Sequence, residues 1–168
     1  HGGDHEIVED VQRTPVTYDR LVMGSFVLGR RLAQDTQGQK NVGVLLPNAA
    51  GTLVTFFGLQ AFGRVPAMLT FSTGALNMAA ACVAAQISTI VTSRRFIEAG
   101  EMEETLKILS ERRKVIYLED LRSSLGLSDK LYGLWASRFP KSALRSAGAN
   151  RDANAAAVIL FTSGSEGV

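Results

Sequence analysis

The residues best suited to chemistry stand at the end of the chain: Phe161-Thr162-Ser163-Gly164-Ser165-Glu166-Gly167-Val168. They follow an apolar run, Ala155-Ala156-Ala157-Val158-Ile159-Leu160. Gly164 and Gly167 allow a sharp turn that brings backbone N–H groups close to an anion. The hydroxyls of Thr162, Ser163 and Ser165 add further donors. A strand opening into such a loop suits a phosphate, so Thr162, Ser163, Gly164, Ser165, Glu166 and Gly167 are the candidate phosphate-binding residues. Glu166 is out of character there. A carboxylate about 4 Å from a phosphate meets repulsion of about 4 kcal/mol at an effective dielectric of about 20. It must turn to solvent, meet a cation or approach through a metal ion. A Ser/Gly-rich tail without fixed conformation is the competing reading of the segment.

Other nucleotide and hydrolase motifs do not fit. The lysine-bearing P-loop needs Gly, four residues, then Gly-Lys-Ser/Thr; Gly164 and Gly167 are too close and no lysine follows. Gly-x-Gly-x-x-Gly is absent from the chain. The Gly-x-Ser-x-Gly elbow fails because Gly164 directly precedes Ser165. Both histidines, His1 and His5, lie in a polar start that can include residues added in cloning. A hydrolytic serine would therefore lack a general base. No catalytic residue and no metal ligand is assigned within the chain.

The chain holds 168 residues, enough for one domain or a piece of a larger one. A hydrophobic content of 46% is that of a globular protein. A formal charge of +2, with basic residues scattered and not interleaved with aromatics, argues against nucleic acid. One cysteine, Cys82 among alanines, builds neither a disulfide nor a thiolate metal site and reads as a small buried apolar residue. The longest apolar stretch, residues 75–91, is interrupted by Asn77, Gln86 and Ser88 and does not read as membrane-spanning.

The elements that must position the loop alternate. Tyr18 to about Gln37 is an amphipathic helix with Thr17 as cap, Leu21, Val22, Phe26, Leu28, Leu32 and Ala33 inward, and Gly38 ending it. Strands are read at 41–46, 65–69, 88–92, 115–118 and 156–162. Helices are read at 50–62, 75–86, 94–99, 101–113 and from a Ser128 cap to Arg138, with Leu131, Leu134 and Trp135 as the apolar side of the last. Residues 140–154 read as loop. Phe56, Phe57, Phe62 and Trp135 read as core packing, not as substrate contacts. A strand every two dozen residues, with helices between, predicts an α/β fold with a mainly parallel sheet flanked by helices. Ligands of such sheets bind beyond the strands' carboxyl ends, where the Thr162–Gly167 loop falls.

Thr-Ser-Gly-Ser-x-Gly after a buried strand resembles the phosphate loop of adenylate-forming enzymes: acyl-CoA synthetases, luciferases and peptide-synthetase adenylation domains. The Pro-Lys-Gly that continues the family loop is not in this chain. Thr17-Tyr18-Asp19-Arg20-Leu21 resembles the opening of many members, and residues 42–48 resemble their first core strand. Residues 64–74, 84–87, 89–94 and 115–121, with Ser163-Gly164-Ser165-Glu166-Gly167, are similar to one branch. That branch comprises the bifunctional acyl-acyl-carrier-protein synthetases / 2-acylglycerophosphoethanolamine acyltransferases. The resemblance implies that residues 1–16 are an N-terminal extension. It implies that residues 17–168 are the N-terminal subdomain of the AMP-binding domain, cut within the phosphate loop and inactive alone. It further implies ATP and Mg²⁺ as cofactors, with the ATP phosphates on Thr162 to Gly167. The implied partners are a fatty acid, acyl carrier protein and, in the parent, a lysophospholipid. The parent would stand at the cytoplasmic face of the bacterial inner membrane, and the chain itself is expected to be soluble. A general acyl-CoA ligase, a peptide-synthetase adenylation domain and a non-catalytic α/β interaction module remain as alternatives.

Overall fold

The computed structural model describes residues 3–9, 15–150 and 152–161. The order begins with strands β1 (Glu6–Glu9) and β2 (Pro15–Thr17), then helix α1 (Tyr18–Asp35). β3 (Asn41–Val44), α2 (Ala50–Ala61), β4 (Val65–Met68), a 3-10 turn at Phe71–Thr73 and α3 (Ala75–Ala84) follow. Next come β5 (Thr89–Thr92), α4 (Arg94–Ala99), α5 (Glu103–Ser110) and β6 (Lys114–Tyr117). The chain continues through α6 (Leu118–Ser123), α7 (Leu127–Arg138) and α8 (Pro140–Ser146) to β7 (Ile159–Leu160).

β3 to β7 form one five-stranded sheet in the order β6-β5-β3-β4-β7, with every pairing parallel. The predicted α/β fold with a mainly parallel sheet is thus what the chain adopts. Alternation along the strands splits the core into two faces. Val42, Val44, Val91 and Ile116 meet Leu28 and Leu32 of α1, Leu59 of α2 and Leu121 of α6. Ala67, Leu69 and Ile90 meet Met78 and Cys82 of α3, Ile97 of α4, and Leu106 and Leu109 of α5. Cys82 is fully buried, and that burial raises its thiol pKa against the lowering influence of Arg113. The thiol is accordingly a packing group.

Pro66 sits in β4, an internal strand. The Val65 N–H bonds Lys40 and the Leu69 N–H bonds Val44, so odd-numbered positions donate towards β3. The missing Pro66 donor therefore faces β7, whose ladder begins one residue later, at Ala67 opposite Ile159.

α1 starts where Thr17 Oγ1 accepts from the Arg20 N–H at 3.3 Å, as its sequence predicts. Arg64 closes the helix. Its Nε donates to the Thr36 carbonyl and Oγ1 at 3.2 Å each, and Nη1 donates to the Phe62 carbonyl at 3.2 Å. A guanidinium at carbonyls left over by two helix ends satisfies orphan acceptors and meets the negative pole of the dipole.

Several expectations need correction. Residues 140–146, read as loop, form α8: Pro140 occupies its first turn, where a missing N–H costs nothing, and Ala143 anchors it. The cap of α7 is Gly126, not Ser128; the Asp129 carboxylate accepts the Gly126 N–H at 3.0 Å. α5 begins at Glu103, two residues later than its acidic start suggests. Phe57 and Trp135 are exposed. So are Leu131 and Leu134, because α7 turns Asp129, Gly133 and Ala136 inward instead. Glu6–Glu9 and Pro15–Thr17, for which the sequence suggested no element, pair as the antiparallel β1–β2 ribbon.

Candidate nucleotide site

β7 runs parallel to β4, with Ala67 opposite Ile159 and Met68 opposite Leu160. Its carboxyl end therefore lies on the same edge of the sheet as those of β3, β4, β5 and β6. Phe161, the last described residue, packs half-buried on the α3 side of the core. Thr162, Ser163, Gly164, Ser165, Glu166 and Gly167 lie outside the described residues. What is described is the strand that precedes them in sequence and ends at the carboxyl edge.

That edge is fastened by side chains following each strand. Thr92, fully buried at the end of β5, donates from Oγ1 to the Leu45 carbonyl at 2.8 Å, tying β5 to β3. Thr52 donates to the Pro47 carbonyl, closing the turn from β3 into α2. After β4, Thr73 Oγ1 donates to the Thr70 carbonyl at 2.8 Å, and Asn77 Nδ2 to the Thr73 carbonyl at 2.8 Å. Gly74 follows with φ of 80°, a left-handed value that a side chain would strain.

The β5–β6 half of the edge carries a charged brace. Thr92 pairs in register with Tyr117, so the residues after each come together. Ser93 Oγ donates to Glu119 Oε1 at 2.7 Å. Arg94 forms two parallel bonds to Asp120, at 2.7 and 2.8 Å, while its guanidinium lies 4.1 Å from the Tyr117 ring centroid. Such a fork is geometrically specific and adds a cation–π contact. Burial pushes the Glu119 carboxyl pKa up. The Ser93 hydroxyl and the backbone N–H groups of Glu119, Arg94 and Arg95 outweigh that, and the group sits below its ordinary value. Glu119 Oε2 is buried with no donor at full hydrogen-bond geometry, so those N–H groups act on it mainly through their dipoles. The bond from Arg94 likewise holds Asp120 low.

The brace makes a pH prediction. A carboxylate whose folded pKa lies below its unfolded one contributes stability above the unfolded value, near about 4.3 for glutamate. That contribution is lost as pH falls through the folded value. Glu119→Gln is expected to lower the melting temperature at neutral pH, with the gap to the unmodified chain closing below about pH 4. Thermal melts of both proteins from acid to neutral pH check this.

Chemically, the brace commits Arg94, Asp120 and Glu119 to one another's neighbourhood. Arg94 is neutralised by Asp120, and Glu119 is turned into local donors. Arg94 is thereby withdrawn as a partner for an anionic ligand, whereas Arg95 beside it is exposed. Among the described residues no group of three or more His, Cys, Asp or Glu could hold a metal ion. The sequence signal for the brace was two polar clusters, Thr92-Ser93-Arg94 and Tyr117-Leu118-Glu119-Asp120, each directly after an apolar strand. Only the parallel register shows that they meet.

A large cavity lies elsewhere. About 710 Å³ opens between α1, α2, α8 and residues 149–157, beside Lys40, Arg64 and Val65. Lys40 and Arg64 precede β3 and β4, so this hollow is at the amino ends of the strands. Arg64 is spent on backbone carbonyls. Parallel sheets place their ligands at the opposite edge, where β7 ends.

A model of the AMP-binding enzyme family matches residues 1–168, the entire chain. The chain belongs to the AMP-binding enzyme family. Solved structures agree on the fold. VinN, in complex with 3-methylaspartate, superposes with a TM-score of 0.63 at 18% identity, over 96% of this chain and 40% of that one. The o-succinylbenzoate CoA synthetase of Bacillus subtilis gives 0.58 at 15% identity, over 68% and 22%. The amide bond synthetase McbA of Marinactinospora thermotolerans gives 0.57 at 21% identity, over 69% and 23%. The AMP-binding chain described here thus spans well under half the length of these enzymes. Among its described residues no helix is long and apolar enough to cross a membrane.

Proposed function

We propose that this AMP-binding chain is the first part of a fatty acid-activating domain, with Thr162 to Gly167 holding the β- and γ-phosphates of ATP. One observation carries the reading: β7 ends at the carboxyl edge, directly before a Thr/Ser/Gly loop. In the reaction, a carboxylate oxygen attacks the α-phosphorus and the bond to pyrophosphate breaks, leaving an acyl-adenylate. A phosphopantetheine thiol of acyl carrier protein then attacks the acyl carbonyl, loses its proton and expels AMP. Both first reactants are anions, so their repulsion must be offset and their geometry held. Thr162, Ser163 and Ser165 would donate hydroxyl bonds to the triphosphate, and the glycines would let backbone N–H groups approach. Mg²⁺ entering with ATP would supply charge neutralisation.

The finer identity rests on the sequence segments similar to the acyl-carrier-protein synthetase branch. On that reading the intact protein passes the acyl group to a lysophospholipid through a separate acyltransferase domain. It works at the cytoplasmic face of the bacterial inner membrane. The test is carboxylate-dependent exchange of pyrophosphate into ATP by the intact protein, across fatty, aryl and amino acids. Long-chain fatty acids are expected to support exchange. Activity with amino or aryl acids alone would replace the substrate assignment, and exchange with none would overturn adenylation. A general acyl-CoA ligase is the second reading, favoured by the CoA synthetase among the structural matches. Coenzyme A replacing carrier protein as acceptor would establish it.

The 168-residue chain alone carries one wall of the proposed site. Isothermal titration is expected to show no ATP binding in the micromolar range; micromolar affinity would mean that the site is complete within these residues.

A further inference from the structure

Direction of travel along the sheet decides the side on which each connection lies. The steps from β3 to β4 and from β6 to β7 run towards the β7 end, and their helices α2 and α6 lie on the side of Val42, Val44 and Ile116. The steps from β4 to β5 and from β5 to β6 run the other way, and α3, α4 and α5 lie on the side of Ala67 and Ile90. A single crossover hand produces this division. Among the described residues β7 has no neighbour on its outer side, and the positions on its inner side are occupied through to β6. Consecutive elements are usually neighbours, so a further parallel strand belongs beside β7. Its connection is a crossover, usually helical. The same hand puts that helix on the α2 side, next to α2.

The α2 side is open at that place. The hollow of about 710 Å³ has Leu21 of α1, Phe57 and Ala61 of α2, Leu144 of α8 and residues 155–157 in its walls. Phe57 is 43% exposed and Leu144 45%. Ser25 lies in the same wall, 5% exposed, and its Oγ has no hydrogen-bond partner. Buried hydroxyls are ordinarily bonded. A helix that leaves the carboxyl edge and runs back antiparallel to β7 brings its C-terminus to the amino edge. Lys40 and Lys141 border the hollow there, and Asp152 is the one acid among its described lining residues. Two cations suit the negative pole of a helix. Arg64 plays that part for the ends of α1 and α2.

We propose that the hollow is the seat of a helix of the same protein: the crossover helix that follows Thr162 to Gly167 and carries the chain to a further parallel strand beside β7. Its inward side is apolar towards Phe57 and Leu144 and offers a polar group to Ser25. The phosphate-binding segment is thereby held at both ends, by β7 and by this helix. The proposal rests on the topology of the sheet and not on the adenylation reading. An intact protein without pyrophosphate exchange would leave it standing.

The test places a benzophenone side chain at Phe57, and separately at Leu144, in the intact protein. Photo-cross-linked peptides are then identified by mass spectrometry. Both positions are exposed within the described chain, so the probe displaces no core residue. Cross-links from both to the first ~30 residues after Val168, the span of a βαβ unit, are expected. A dominant link to a more distant part of the protein, to a second copy, or to no peptide at all overturns the proposal. Hydroxyl-radical footprinting of the unmodified intact protein gives a reading without substitution. Protection of Phe57 and Leu144 is expected, and oxidation of both at the rate of open side chains overturns the proposal equally.

Discussion

Replacing Thr162, Ser163 and Ser165 together by alanine in the intact protein is expected to lower fatty acid-dependent pyrophosphate exchange by about 10²- to 10³-fold. That is the size of losing preorganised donors at a developing anion. The three residues follow β7 in sequence, and β7 ends at the carboxyl edge. Arg94 is committed to Asp120 at 2.7 and 2.8 Å. If the hydroxyls grip phosphate in ground and transition state alike, KM for ATP rises at constant kcat; if they tighten on the departing pyrophosphate, kcat falls. Either change supports the loop assignment, and unaltered exchange kinetics would refute it. Glu166→Ala separates the roles left open for that carboxylate. A changed Mg²⁺ or ATP dependence marks an approach through the metal; no change marks a solvated turn residue.

A second large effect is expected where α1 crosses α2. A Cβ on Gly29 would stand 2.5 Å from the Gly58 carbonyl oxygen and 2.8 Å from Phe62 Cδ2. A Cβ on Gly58 would stand 2.9 Å from the Ser25 carbonyl oxygen and 3.1 Å from the Gly29 nitrogen. These obstacles are mostly backbone, so relief requires the helices to part and to unseat Leu28, Leu32 and Leu59 from the sheet. Gly58→Val is expected to destabilise by about 3 kcal/mol, the upper range for overpacking. That corresponds to a melting temperature about 6–12 °C lower for a domain of this size. Gly24, on α1, is the control. Its Cβ would meet only Val54 side-chain carbons at 3.3 and 3.5 Å. Gly24→Ala is expected to be neutral or to gain up to about 1 kcal/mol from helix propensity. Thermal melts of both variants read the contrast. A Gly58→Val protein melting at the unmodified temperature would contradict the close crossing.

How much of this was legible in the sequence depends on the range of the interaction. Thr17 capping α1, and the β-branched run 89–92, are local signals that tertiary structure had no reason to override. The strand rhythm implied a parallel sheet because each apolar run was separated by a helical one. The order β6-β5-β3-β4-β7 was not legible, since strands such as Val42–Val44 and Thr89–Thr92 are apolar on both faces and carry no label for their neighbours. α8 escaped because Ala143 is its one buried side chain and its remaining composition is that of a loop. α7 was read as a helix, but its large apolar side was assumed to face inward; Gly133 and Ala136 allowed a tighter seat on α1 through the other side. The Arg94–Asp120 fork spans 26 residues and depends on Thr92 falling opposite Tyr117, a register that composition does not encode. Thr162 to Gly167 stand out as a motif because the chemistry proposed for them resides in residue types at short spacing.

A crystal structure of the intact protein with a non-hydrolysable ATP analogue tests the central claim most directly. The account predicts the β- and γ-phosphates at the carboxyl edge of the sheet, about 2.7–3.2 Å from N–H and hydroxyl groups of Thr162 to Gly167. A triphosphate seated instead in the hollow beside Lys40 and Lys141, or making no contact with that loop, would contradict it.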